Sequence, residues 1–245
     1  MPHAGTHLPA DIAARLTPEA REVHDTDWHM PQLYACAQAL GASLLVATHS
    51  RYVIDLNRAP DGASLYPGQS VTGLCPVDSF ASTALYASAA QEPDAAEIER
   101  RKRLYWQPYH DQLRAELDRL QRVHGRAVLW DAHSIRSVLP RFFEGQLPDL
   151  NLGTADGSSC DAGLAQQLLQ IAQTAPGHTA VLNGRFKGGH ITRHYGAPAR
   201  GIHAVQLEMT QCSYMQEQMP FDFLPERAAR IQPTLQRLLQ AALDF

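Results

Sequence analysis

A chain of 245 residues with 44% hydrophobic and 19% charged residues has the length and composition of one globular domain, residues 1–245, and excludes a disordered or fibrous protein. A net charge of −4 without an extended lysine–arginine block excludes the usual nucleic-acid footprint. The four cysteines have no Cys-x-x-Cys spacing, no apolar run reaches the ~18 residues of a membrane span, and no secretory leader pattern opens the chain. A cytoplasmic protein acting on a small molecule, with no nucleic acid and no membrane, is the expectation.

In chain order, Met1 to Pro9 reads as a Gly/Pro-punctuated loop with His3 and His7, and a short helix follows to Leu16. Thr17-Pro18-Glu19 has the pattern of an N-cap with proline at the first helical position. A polar knot, His24-Asp25-Thr26-Asp27, feeds a helix expected from Trp28 to Leu40, with Gly41 as its stop. Ser43–Thr48 and Tyr52–Leu56 are apolar runs of strand length. Residues 59 to 94, rich in Pro, Gly and Ser and including Pro67-Gly68, read as a long binding loop or lid.

Pro93 to His124 is the longest helical pattern, with a kink expected at Pro108 and the basic run Arg100-Arg101-Lys102-Arg103 on a solvated face. Ala127–Trp130 is a buried strand, and an irregular stretch with Pro140, Pro148 and Gly153 separates it from a helix over Asp161–Ala175. Strands follow at Ala180–Leu182 and Ala204–Leu207, and an amphipathic helix over Pro225–Leu243 carries Pro233. Alternating strands and helices predict an α/β fold in one domain, a mostly parallel mixed sheet flanked by helices.

Four strand ends in this scheme carry chemistry: Asn57-Arg58, Asp131 with His133, Arg185, and Glu208. Ligands of α/β sheets bind outside the carboxyl ends of the strands, so these ends define where a site would be built. His3, Asp27 and His133 offer two imidazoles and a carboxylate, the donor set of a zinc site that keeps one position open for water. Asp131 suits a partner that orients an imidazole. Asp55 suits an ion pair with Arg51 or Arg58 as well as a catalytic role. Arg51, Arg58 and Arg185 have the guanidinium fork that grips carboxylates, and Asn57 lies beside them. Glu208, closing an apolar strand, is the candidate general base. The cysteines lack an adjacent base, and Ser134 lacks a Gly-x-Ser-x-Gly elbow, so nucleophilic catalysis by either is disfavoured.

Six stretches carry a resemblance: Pro2-His3-Ala4-Gly5-Thr6, Asp25-Thr26-Asp27-Trp28-His29, Ser50-Arg51-Tyr52-Val53-Ile54-Asp55-Leu56-Asn57-Arg58, Trp130-Asp131-Ala132-His133-Ser134, Asn183-Gly184-Arg185-Phe186-Lys187-Gly188-Gly189 and Val205-Gln206-Leu207-Glu208. In this order they resemble the N-formylglutamate amidohydrolase family, which is distantly similar to zinc carboxypeptidases and aspartoacylases. The resemblance implies zinc-dependent hydrolysis of N-formyl-L-glutamate to formate and L-glutamate, late in histidine breakdown. It implies Asp-x-Asn-Arg at 55–58 as the holder of the substrate carboxylate and Glu208 as base. It also implies an apolar strand ahead of the Pro-His-Ala-Gly motif, so that either the start lies upstream of Met1 or a sheet position beside His3 is empty. The rival readings are a related deacylase or carboxypeptidase-like hydrolase of other acyl specificity, and a metal-free binding protein for acidic amino acids.

Overall fold

Apolar runs become strands in this protein only where a partner strand is in reach. The computed structural model describes residues 1–63 and 70–245, so Pro67 and Gly68 of the expected loop lie outside the described residues. Its helices are α1 (Ala10–Ala13), α2 (Met30–Leu33), α3 (Cys36–Ala39), α4 (Ala95–Arg101), α5 (Gln107–His124), α6 (Ala162–Gln173), α7 (His190–Tyr195) and α8 (Pro225–Asp244). Its strands are β1 (Ala127–Ile135), β2 (Leu150–Gly153), β3 (Ala180–Leu182) and β4 (Ile202–Thr210). They form one mixed sheet in the order β1-β4-β2-β3, with β1 parallel to β4, β2 antiparallel to β4, and β2 parallel to β3.

The register sorts the sheet into two faces, because residues paired across strands point the same way. Ala132, Leu150, Leu152, Val205, Leu207 and Met209 pack with Leu164 and Leu168 of α6 and Leu235 and Leu238 of α8 into the main core. The opposite face changes character along its length. Ala127 and Ile202 at the strand starts pack with Leu113, Leu117 and Ile191, whereas the carboxyl ends present Asp131, His133, Gln206 and Glu208. A face that is apolar at one end and ionisable at the other makes the site's position a property of the sheet.

Several expectations fail for physical reasons. Ser43–Thr48 makes no strand; its backbone is spent on the amino terminus, with the Met1 ammonium donating to the Leu45 carbonyl (3.0 Å) and Ala47 N–H to the Met1 carbonyl (3.1 Å). Beyond it, along the outer edge of β1, runs a groove of about 920 Å³. Tyr52–Leu56 is buried but unpaired with any strand. The helix expected over Trp28–Leu40 starts late, because His29 enters the left-handed region at φ 60°, and it splits into α2 and α3 at a turn in residues 34–35. Only Ala10–Ala13 of the first helix forms. Pro108 does not break the long helix: it sits in the first turn of α5, and the chain widens into a π turn over Lys102–Trp106 just before it. In the basic run, Arg101 is fully buried, bonded to Glu97, the Val53 carbonyl and Tyr86. β2 arises within the stretch expected to be irregular, and α7 forms directly after Gly189. No helix among the described residues is long and apolar enough to cross a membrane.

Candidate metal centre

His3, Asp27 and His133 converge from three separate segments, each offering one ligand atom within 4.8 Å of the others. Asp27 Oδ2 lies 3.8 Å from His3 Nδ1 and 3.2 Å from His133 Nδ1. The imidazoles face each other with centroids 4.9 Å apart. His133 is fixed by β1. His3 is fixed because Gly5 lets the amino-terminal segment lie against the backbone of Thr48 and His49, a distance no side chain would tolerate. Asp27 is tied to both neighbours: its N–H donates to the His3 carbonyl at 3.0 Å, and its Oδ2 accepts from Ser134 N–H at 3.1 Å. Asp25, two residues earlier, turns away and accepts from Phe80 N–H.

The outer nitrogens complete a pattern of the kind that surrounds bound metals. His3 Nε2 meets Asp55 Oδ1 at 2.7 Å, and His133 Nε2 meets Asp131 Oδ1 at 2.9 Å. A carboxylate behind each imidazole holds the proton on the outer nitrogen and turns the inner one toward the cluster. Two inner imidazole nitrogens and one carboxylate oxygen, all buried, fit a divalent ion such as zinc.

Electrostatics separate the two histidines. Burial and the neighbouring Arg51 guanidinium pull the His3 imidazole down to about 4. Burial also disfavours the charged form of His133, but the Asp131 and Asp27 carboxylates outweigh it and push the imidazole up to about 10. Asp55 pays for burial and is still held well below the usual carboxylate range by Arg58, His3 and Arg51.

Glu208 stands directly opposite His133 in the β1–β4 register and opposite Asn151 on β2. Burial is the main cause that pushes its carboxyl up to about 8, and the Asp27 and Asp131 charges add to it. Gln206, one pleat earlier on the same face, donates to Glu208 Oε2 at 3.2 Å and accepts from Gly189 N–H at 2.8 Å. Gln206 was missed in the sequence, where it reads as an ordinary strand polar residue.

The four groups expected to bind substrate take different positions. Asn57 is buried: its Oδ1 accepts from Ile191 N–H, and its amide nitrogen lies 3.1 Å from His133 Nε2. Arg58 is partly exposed, with its guanidinium anchored by the Thr72 carbonyl, Thr72 Oγ1 and the Asn57 carbonyl, 3.7 Å from Asp55. Arg51 is buried, bonded to Asp55 Oδ2 at 2.8 Å and stacked over Phe80. The structure therefore joins Arg51 to Asp55, the carboxylate behind His3, and brings it to 3.8 Å from Asp27. Arg185 donates to the Phe142 carbonyl at 2.6 Å and lies over the Phe186 ring. Asp55, weighed in the sequence between ion pair and chemistry, does more than either: it binds His3, Arg51 and the Asn57 N–H at once.

Comparison with known proteins agrees with the geometry. The family model for N-formylglutamate amidohydrolase matches residues 1–215. The chain is 52% identical over 245 residues to an N-formylglutamate deformylase of Pseudomonas putida, covering 100% of this chain and 91% of that protein. It is 50% identical to the N-formylglutamate deformylase of Pseudomonas aeruginosa, with the same coverage. The crystal structure of N-formylglutamate amidohydrolase from Ralstonia eutropha JMP134 superposes with a TM-score of 0.83 at 27% identity, over 99% of this chain and 91% of that one. A gene product of Agrobacterium tumefaciens shares the fold, with a TM-score of 0.72 at 21% identity over 99% and 88% of the two chains. On the strength of the family match and of relatives at half identity along its whole length, the chain belongs to the N-formylglutamate amidohydrolase family.

Proposed function

We propose that this protein hydrolyses N-formyl-L-glutamate to formate and L-glutamate, with His3, Asp27 and His133 holding one zinc ion and residues 1–245 acting as one catalytic domain. The observation that carries the reading is the cluster of two carboxylate-backed imidazoles and Asp27 beside a buried Glu208. Bound there, zinc would polarise the formyl carbonyl and make water more acidic. Glu208, buried beside His133, takes a proton from the attacking water and returns it to the departing amine. The new carbon–oxygen bond gives formate as the carbon–nitrogen bond breaks. Arg58 grips a carboxylate of the glutamate moiety, with Asn57 and Arg185 as further substrate-binding groups, and so fixes which bond lies over Glu208. Arg51 supports this arrangement through Asp55, closing a site of the zinc carboxypeptidase kind. The reaction belongs to histidine breakdown on this proposal.

The test is formate release from N-formyl-L-glutamate by protein of measured metal content, before and after chelation. Turnover that disappears with the metal and returns with zinc supports the assignment. Undiminished turnover in metal-free protein refutes the metal assignment, and no formate release from zinc-loaded protein refutes the substrate.

A further inference from the structure

Residues 53–58 hold much of the site yet belong to no strand, so their carbonyls need donors from elsewhere. One helical line supplies three of them. Arg101 Nη1 donates to the Val53 carbonyl at 3.0 Å, Trp106 Nε1 to the Arg58 carbonyl at 3.1 Å, and His110 Nε2 to the Leu56 carbonyl at 2.9 Å. The spacing of these donors is uneven. His110 follows Trp106 by four residues, the interval of a regular helix face, but Trp106 follows Arg101 by five. The π turn over Lys102–Trp106 supplies the extra residue. In an unbroken α-helix Arg101 and His110 would lie on opposite faces, and the side chain in line with Arg101 would be Tyr105, with no ring N–H to give.

The same line is braced from behind. The Trp106 and His110 rings stack with centroids 3.7 Å apart, and His110 Nδ1 meets the Tyr195 hydroxyl of α7 at 2.8 Å. α7 in turn binds Asn57, through Ile191 N–H to Oδ1 at 2.8 Å. The Leu56 and Arg58 carbonyls, one residue before and one after Asn57, are therefore tied to α5 and the π turn, and the Asn57 side chain to α7.

We propose that the π turn is a positioning device for the substrate clamp, with Trp106 and His110 as positioning residues that set the angle of the Leu56–Arg58 peptide units and hence of the Arg58 guanidinium. Neither residue touches the reacting atoms. The role rests on the hydrolase reading for its substrate, and on the hydrogen bonds alone for its geometry.

Trp106→Phe tests it, because phenylalanine keeps the stack on His110 and removes only the N–H. With the zinc-loaded protein, the variant should raise KM for N-formyl-L-glutamate about tenfold while kcat stays within about threefold. Binding of L-glutamate, followed by calorimetry, should weaken by a similar factor, and metal content should not change. A lower melting temperature with unchanged KM would make Trp106 merely structural and overturn the proposal. If Trp106→Phe does not fold, His110→Asn releases the same segment from the Leu56 side and should give the same split between KM and kcat; a KM equal to that of the unaltered protein overturns the proposal. Unaltered protein that neither turns over N-formyl-L-glutamate nor binds L-glutamate would instead mark the failure of the hydrolase reading.

Discussion

Glu208 is held where its charge is expensive. It is buried on the central strand, faces His133 across the ladder, and has an amide, Gln206, as its hydrogen-bond partner. A carboxyl pushed up to about 8 favours its protonated form in the metal-free protein at neutral pH, so ionising it works against folding. Glutamine in its place should therefore cost no stability, and the metal-free Glu208→Gln protein should melt at or above the temperature of the unaltered one. Loss of a general base typically lowers turnover by ~10²–10⁴-fold, and the same group returns the proton to the amine, so the upper part of that range is expected, with zinc retained. Turnover and melting measured on one preparation decide it; a zinc-loaded variant with full turnover would remove Glu208 from the mechanism. Arg58 makes the contrasting case. Its guanidinium is partly exposed and anchored by neutral oxygens, with Asp55 as the nearby anion at 3.7 Å. Arg58→Ala should raise KM for N-formyl-L-glutamate by about 10²-fold, the scale of one charge-assisted pair, and should affect the diamide of the substrate much less. Equal losses on both would make the residue structural.

Among the elements, those that bury a face against a partner were legible and those that depend on remote segments were not. Ala127–Trp130 and Ala204–Leu207 were visible as apolar runs, but both strands extend farther, to Ile135 and Thr210. In these extensions polar residues of the site, Asp131, His133 and Glu208, alternate with core residues such as Ala132 and Met209, so a search for a continuous apolar run stops short of them. Tyr52–Leu56 is as apolar as a strand, yet Arg101 and His110 take up its Val53 and Leu56 carbonyls and Trp106 that of Arg58 just beyond, an arrangement that depends on a π turn no local pattern announces. The candidate site residues His133 and Glu208 follow runs that were visible. His110 gives this level a pH signature. Burial lowers its imidazole to about 4, and the unfolded chain titrates near 6.5. Below pH 6.5 the unfolded chain takes up a proton that the folded chain refuses, so stability falls from pH 6.5 toward 4 and is unaffected above that window. The full difference is about 3 kcal/mol. Melting temperature followed from pH 7.5 to 5.0 should drop less steeply in His110→Phe than in the unaltered protein, even though the variant starts lower. Parallel curves would place the proton uptake at another residue.

For the molecule as a whole, the candidate metal ligands are spread over the chain, at residues 3, 27 and 133, and the proposed base follows at 208. Asp27, Asp55, Asp131 and Glu208 are buried together, with Arg51 and the His133 imidazole as the buried cations among them. A divalent ion at this point would offset the remaining negative charge and cross-link the amino-terminal segment, the 25–29 turn and β1. An ion that binds only the folded chain adds about 4 kcal/mol when free metal exceeds its dissociation constant a thousandfold, which for a chain of this size is a melting shift of roughly 10 °C. Chelation should therefore lower the melting temperature by about that amount, and restored zinc should recover it. The loss should also be uneven. β4 is buried at all nine positions and bonded on both edges, so its amides should stay protected. The amino-terminal segment leans on a few backbone bonds to residues 45–50. Without the ion, the His3 side chain keeps its bond to Asp55 and its backbone the one from Asp27, and hydrogen exchange in residues 1–8 should accelerate first. Protein shown by metal analysis to be zinc-free, yet with unchanged melting and unchanged exchange in residues 1–8, would mean that no metal joins these segments.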